Sequence, residues 1–301
     1  MMDCLNYEII DFGAGRKLER FGDFVLDRPS PPAEGVAPRL ATRAWERANA
    51  AFFRNSGLKG RWEVDDMFDR RGDDWAFETS FFRLKLKPTQ VGHLGVFPEQ
   101  FENWRWLYES TLRCLEGSDS FHVLNLFAYT GGSSLAVAKA FEEFGILPEM
   151  RERFAIAHVD SARNIVQWAR ENALFSARER VPIRWIAEDA MKFVQREVRR
   201  GRRYNGIILD PPTYGHGVKG EVWKLDDHLE ALLTLCAQLS QGGLRYLLLT
   251  THSPGWDCAA LERIVRQIFP RTGHFRSFSM SLSTKDGRKL PSGEGIRVFF
   301  D

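Results

Sequence analysis

Residues 121–132 read Phe121-His122-Val123-Leu124-Asn125-Leu126-Phe127-Ala128-Tyr129-Thr130-Gly131-Gly132. The run Phe121 to Phe127 is short and mostly apolar, the pattern of a strand buried on both faces of a sheet. Gly131 and Gly132 then let the backbone turn sharply before Ser133-Ser134 open a helix, Leu135 to Phe144. A strand that passes through a glycine turn into a helix N-terminus leaves amide N–H groups facing whatever lies in front of it. Such a cradle suits a nucleotide-like ligand. Alone, the same pattern also describes an ordinary tight turn.

Toward the C-terminus, apolar runs at 121–127, 154–159, 183–187, 204–209 and 243–250 alternate with helical patterns at 133–144, 161–174, 189–200, 225–240 and 257–268. That rhythm predicts an α/β fold with a parallel sheet and helices on both faces. Ligands of such sheets sit beyond the carboxyl ends of the strands. After the second strand stand Asp160 and Ser161; the acid can accept from ribose hydroxyls or merely cap the next helix. The third strand delivers Asp189, an acceptor for an adenine amino group or an N-cap, with Ala190 and Met191 leaving room for a ring. The fourth ends in Asp210-Pro211-Pro212-Thr213-Tyr214-Gly215. Prolines there remove donors and fix the backbone, leaving a rigid acceptor array that can hold an amino group or a planar base. Tyr214 is placed to stack on a base or close a pocket. After the fifth strand, Thr251-His252-Ser253 offers His252 as a proton acceptor or as a structural residue. A strand at 273–282, a loop at 285–295 and an antiparallel strand at 296–300 complete the reading.

Toward the N-terminus, Pro98 suits the first turn of a helix from Glu99 to Leu115. Residues 1–90 differ in texture. Strands are expected at 7–12 and 20–26, a proline-rich loop at 29–35, and a helix at 41–54 ended by Gly57. Alternating aromatic and charged residues at 61–64, 75–78 and 81–87 suit strands with one buried face. This predicts a small β-rich unit, 1–90, attached to a larger domain, 91–301. The basic edge Arg83, Lys85 and Lys87 reads as a solvated strand face more readily than as a nucleic-acid surface.

Among 301 residues, 44% are hydrophobic and 27% charged, with a net charge of +2. That balance asks for no polyanionic partner globally and leaves room for a local basic surface. No apolar run reaches spanning length and the first residues lack a signal pattern, so a cytoplasmic, non-membrane protein is expected. The cysteines (Cys4, Cys114, Cys236, Cys258) are too dispersed for a zinc site or a disulfide framework.

Taken together, Asn125-Leu126-Phe127-Ala128-Tyr129-Thr130-Gly131-Gly132, Asp160, Asp189 and Asp210-Pro211-Pro212-Thr213-Tyr214-Gly215 resemble the Rossmann-like (class I) S-adenosylmethionine-dependent methyltransferases. More narrowly they resemble the bacterial group that methylates cytosine or guanine of large-subunit ribosomal RNA. Gly95-Val96-Phe97-Pro98-Glu99-Gln100 and Leu290-Pro291-Ser292-Gly293 look like that group too, so the resemblance covers roughly residues 90–300. It implies a seven-stranded Rossmann-like sheet and S-adenosylmethionine as cofactor. It sets the turn from Phe127 through Ala128, Tyr129, Thr130 and Gly131 to Gly132 against the methionine part, Asp160 with Ser161 on the ribose, and Asp189 with Ala190 on the adenine. Asp210, Pro211 and Tyr214 would face the methyl acceptor.

Members that methylate carbon 5 of cytosine carry a nucleophilic cysteine after the fifth strand; here the position holds Thr251-His252-Ser253. Without a thiolate the pyrimidine ring cannot be activated by covalent addition. Cys258, in the next helix, is the only nearby thiol. The acceptor array at Asp210-Pro211-Pro212 points to RNA methylation at a base nitrogen as the expected activity, with Lys285, Arg288 and Lys289 contacting phosphates. Alternatives are a small molecule or protein side chain as acceptor, a scaffold that binds the cofactor without catalysis, or, more distantly, a nicotinamide-dependent dehydrogenase.

Overall fold

The computed structural model describes residues 4–55, 59–216, 220, 222–241 and 243–300; Gly57 lies outside them. The chain forms two compact units, one of Met1–Phe101 with Ser281–Ser292 and one of Glu102–Met280 with Gly293–Asp301. The first unit thus runs past residue 90 and takes in a segment from near the C-terminus.

In the first unit, β1 (Tyr7–Gly13), β2 (Arg16–Phe21), β3 (Phe24–Pro29), β4 (Ala50–Arg54) and β5 (Gly60–Val64) form a five-stranded sheet in that order. A single-turn helix α1 (Thr42–Trp45) precedes β4, α2 (Asp66–Asp69) follows β5, and β6 (Ala76–Glu78) pairs with β7 (Arg83–Lys85). Two expectations need correction. The predicted strand 20–26 is the end of β2 and the start of β3, because Gly22 takes φ +61° and reverses the chain. The predicted helix 41–54 is one turn followed by a strand. Phe52 is fully buried against Trp62, at 5.2 Å between ring centroids, while Phe53 is exposed, and that alternation suits a pleated strand rather than a helix.

The segment 281–292 is internal to this unit. Leu282 and Leu290 pack with Ile9, Phe12 and Ala33. The Arg288 guanidinium pairs with the fully buried Asp11, donates to the Phe12 carbonyl at 3.2 Å and lies 4.5 Å from the Phe12 ring centroid. Lys285 pairs with Glu8 at 2.8 Å. The loop expected to hold phosphates therefore spends Arg288 on its own fold. Arg288→Met should destabilise this unit by about 3 kcal/mol, because the buried Asp11 loses its charged partner, and Asp11→Leu in the same chain should not recover the loss, because it leaves the Phe12, Arg39 and Leu40 N–H groups without their acceptor. Urea denaturation of both variants checks this.

The second unit contains most of α3 (Phe101–Leu115), then β8 (Phe121–Leu126), α4 (Gly132–Glu143), β9 (Phe154–Asp160), α5 (Arg163–Phe175), β10 (Ile183–Ala187), α6 (Ala190–Arg199) and β11 (Gly206–Leu209). A hairpin, β12 (Tyr214–His216) and β13 (Val222–Lys224), leads to α7 (Leu225–Leu239), β14 (Tyr246–Thr251) and α8 (Cys258–Ile268). Two long strands, β15 (Gly273–Ser283) and β16 (Lys289–Phe300), finish the chain. The seven-stranded sheet has the order β10-β9-β8-β11-β14-β16-β15. Its first five strands are parallel and β16 runs antiparallel to β14.

Period-two side chains bury both faces of the sheet. In β8, Leu124 and Leu126 join one core with Phe193 of α6, Leu229 of α7 and Leu261 of α8. Phe121 and Val123 join the other with Leu107 of α3 and Phe141 of α4. β16 begins at Lys289 rather than 296, since Leu290-Pro291-Ser292-Gly293 is strand rather than loop. Strand order reverses between β8 and β11, so the crevice beyond their carboxyl ends is the topological switch point where open α/β sheets bind ligands.

Candidate active site

The turn between β8 and α4 is strained by design of its sequence. Phe127, Tyr129 and Gly131 all take positive φ, at +55°, +49° and +103°. For the two residues with a Cβ this costs about 1–2 kcal/mol each. Neighbours hold it in place. Ala128 N–H donates to the Val159 carbonyl and Tyr129 N–H to Asp160 Oδ2, each at 3.0 Å. Asn172 Nδ2 donates to the Thr130 carbonyl at 2.9 Å, with Thr130 buried. Behind the turn, the buried Asn125 amide donates to Ser134 Oγ at 2.9 Å, and that hydroxyl lies 3.0 Å from His158 Nδ1. Burial pushes the His158 ring down to about 3, so it is neutral. Asn125 thus braces the turn from inside. The glycines also answer to packing: a Cβ on Gly132 would come within 2.8 Å of the Trp104 indole, and one on Gly131 within 3.4 Å of Ala169.

Asp160 does not cap α5, whose N-cap is Ala162. Its two oxygens accept from Tyr129 N–H and Ala162 N–H, both at 3.0 Å, tying the tip of β9 to the turn, with Ser161 between. Burial is the largest influence on this carboxyl and raises it above the usual range, against the pull of the Ala162, Tyr129 and Ser161 amides. A carboxylate has about four acceptor positions, so two remain for a diol. Asp189 does cap α6, accepting from Lys192 N–H at 2.9 Å through Oδ1. Ala190 belongs to the core beneath it, with Met191 packed alongside.

At the end of β11, Thr250 Oγ1 donates to Asp210 Oδ1 at 2.7 Å, and His252 Nε2 lies 3.8 Å from the same oxygen. Both side chains are partly exposed. Pro211 is buried and fixes the backbone. The Pro212 carbonyl, part of the expected acceptor array, accepts from the Trp223 indole at 2.7 Å. Thr213 Oγ1 and Ser253 Oγ are bonded at 2.6 Å, so the loops after β11 and β14 form one wall. Trp223 packs 4.9 Å from the Phe127 ring and stacks at 5.5 Å on His228, while Tyr214 keeps 52% of its surface exposed. Sequence reasoning missed Thr250, Ser253, Trp223 and the hairpin that carries Trp223. Only the tandem Thr250-Thr251 at a strand end offered a signal for the first of these.

Gly293, at φ +110°, lets β16 close on this end; a Cβ there would meet the Thr251 carbonyl at 2.6 Å and His252 Nδ1 at 2.9 Å. Cys258 donates to Glu294 Oε2 at 3.0 Å, and burial together with that carboxylate pushes its thiol up to about 11. It is no substitute for an activated cysteine. Cys258→Ser should leave turnover unchanged in a methyl-transfer assay, and alkylation of Cys258 at pH 8, read by mass spectrometry of labelled peptides, should run near a thousandth of the rate of a full thiolate. Among the described residues no cluster of ligating side chains could hold a metal ion, and no helix is long and apolar enough to cross a membrane.

No family model matches the chain. The fold does superpose on the crystal structure of the S-adenosylmethionine-dependent methyltransferase from Agrobacterium tumefaciens with a TM-score of 0.86. That match is 33% identical and covers 99% of this chain and 92% of the other. The chain belongs to the S-adenosylmethionine-dependent methyltransferases. The methyltransferase is also 28% identical over 211 residues to ribosomal RNA large subunit methyltransferase I of Aeromonas salmonicida, covering 66% of this chain and 48% of that one. It is 27% identical over 124 residues to ribosomal RNA large subunit methyltransferase K/L of Shewanella frigidimarina, covering 40% and 16%. It spans less than half the length of these curated relatives. The methyltransferase's cofactor is S-adenosylmethionine, and the site fits it: a braced turn at the switch point, a carboxylate with spare acceptor capacity on β9, and an acid at the head of α6.

Proposed function

We propose that this methyltransferase acts on RNA, at a nitrogen of a base. The observation that carries the choice of atom is Asp210, held by Thr250 with His252 beside it, at a strand end that offers no activated thiol. The names of the large-subunit ribosomal RNA methyltransferases it is similar to support RNA as the substrate class, and that substrate puts the reaction in the cytoplasm.

In this reading Asp160 and Ser161 take the ribose of the cofactor, Asp189 its adenine amino group, and the turn 127–132 its methionine part. When bound, the cofactor supplies an electrophilic methyl group on a sulfonium. The protein aligns the acceptor and excludes water. Asp210 accepts a hydrogen bond from the base N–H and fixes which nitrogen points forward. Tyr214 stacks on the base. As the nitrogen gains its methyl group it gives up its proton to Asp210, whose partly exposed carboxyl releases it to solvent.

The test is transfer of isotope-labelled methyl from S-adenosylmethionine to ribosomal RNA, followed by nucleoside mass spectrometry. An N-methylated base is expected. A carbon-5 methylcytosine product would overturn the atom, and label appearing only in protein or small molecules would overturn the substrate class.

A further inference from the structure

The connections into β11, β14 and β15 concentrate arginines, whereas those into β8 and β9 carry exposed Asp119 and Glu152 beside Arg151 and Arg153. Asp160, Asp189 and Asp210 follow the carboxyl ends of their strands. The arginine-rich connections lie at the opposite edge. Arg199 ends α6, and Arg200, Arg202 and Arg203 form the link into β11. Arg245 immediately precedes β14, Arg271 comes just before β15, and Arg184 is the second residue of β10. All seven are exposed. Because β11, β14, β16 and β15 are successive in the sheet, strand spacing spreads Arg202, Arg203, Arg245 and Arg271 over about 14 Å, three steps of about 4.8 Å.

Folding accounts for part of this row only. Glu197, fully buried, takes Arg184 at 3.5 Å and Arg200 at 3.2 Å. Among the described residues, Arg199, Arg202, Arg203, Arg245 and Arg271 have no carboxylate within ion-pair distance. Arg271 is held in place by a 3.2 Å bond to the Leu244 carbonyl and by the Phe300 ring, 5.3 Å away. In a chain of net charge +2, concentrating arginines without carboxylate partners on one edge creates a local positive potential that attracts polyanions. Guanidinium forks match phosphate oxygens bidentately, and a row of them matches a chain of phosphates.

We propose that this arginine edge docks the phosphate backbone of RNA, on the side of the sheet away from the methyl-transfer end. The choice of RNA among polyanions rests on the function proposed above. The edge lies about 20 Å from the acceptor end, one strand length at about 3.3 Å per residue. A large folded RNA can engage both; a short oligonucleotide can reach only one.

Fluorescence anisotropy with a labelled ribosomal RNA fragment, at several salt concentrations, tests the assignment on the full chain. Arg202→Gln/Arg203→Gln should weaken binding at least about tenfold at low salt and flatten the slope of log affinity against log salt by about 1.4–1.8, for two lost contacts. Cofactor affinity and kcat should stay unchanged while KM for RNA rises. The charge-matched variant Arg43→Gln/Arg47→Gln, exposed in the other unit, should have little effect. Equal loss in both variants, or none in the first, overturns the proposal. So does arginine-dependent binding to phosphatidylserine/phosphatidylcholine vesicles without RNA binding. RNA that binds through the edge but receives no methyl group refutes the proposed function and leaves the edge standing. RNA methylated equally well by wild type and edge variant does the reverse.

Discussion

Asp210→Asn should lower kcat by at least about a hundredfold and leave S-adenosylmethionine affinity within about twofold of wild type. Asparagine keeps an oxygen that can accept from Thr250, so the loop after β11 should hold its shape. What is lost is the negative charge and the acceptor for a base proton. General-base assistance of this kind is worth about 10²–10⁴ in rate. Rapid-quench methyl transfer and calorimetric titration of the cofactor read the two quantities separately. Wild-type turnover in the variant would refute the role given to Asp210. A parallel loss of cofactor affinity would move the residue into the cofactor site.

The second large effect is expected at Asp160. Asp160→Ala should weaken S-adenosylmethionine binding by at least about a hundredfold, roughly 3 kcal/mol, because hydrogen bonds to a charged group contribute about 1.5–3 kcal/mol each. Part of that loss is indirect, since Tyr129 N–H and Ala162 N–H lose their acceptor and the turn with three positive φ values loses a brace. There is also a pH signature. The carboxylate is the accepting form, and burial raises its pKa. Wild-type cofactor affinity should therefore begin to fall, on acidification, at a higher pH than an ordinary aspartate would dictate. Titration calorimetry across mildly acidic pH checks it; unchanged affinity in Asp160→Ala would sink the pocket assignment.

The parallel sheet was legible because its strands are continuous apolar runs separated by helices of ordinary length, a pattern that only a few architectures satisfy. Asp160, Asp189 and Asp210 were legible by position, as acids at strand ends. Local sequence could not decide whether such an acid caps a helix. Asp189 does cap α6, while Asp160 instead ties its strand to the glycine turn, a difference fixed by tertiary hydrogen bonds. Thr250 and Trp223 were hidden for the same reason: each matters through a partner far along the chain, Asp210 and Pro212. The helix expected at 41–54 failed because pairing with β5 outweighed local preference. Arg288 was read by its charge, but its partner, Asp11, lies at the other end of the sequence.

That last pairing bears on how the molecule can be cut or recombined. The N-terminal unit is not a cassette on a single tether. The chain passes between the units three times, at Phe101/Glu102, Met280/Ser281 and Ser292/Gly293. A fragment starting at residue 91 would carry Leu282 and Leu290 into solvent and leave Arg288 without Asp11. The complementary fragment would lose part of its own core. Shuffling domains between homologues at one junction would therefore produce insoluble chimeras; a productive exchange has to move residues 281–292 together with the N-terminus.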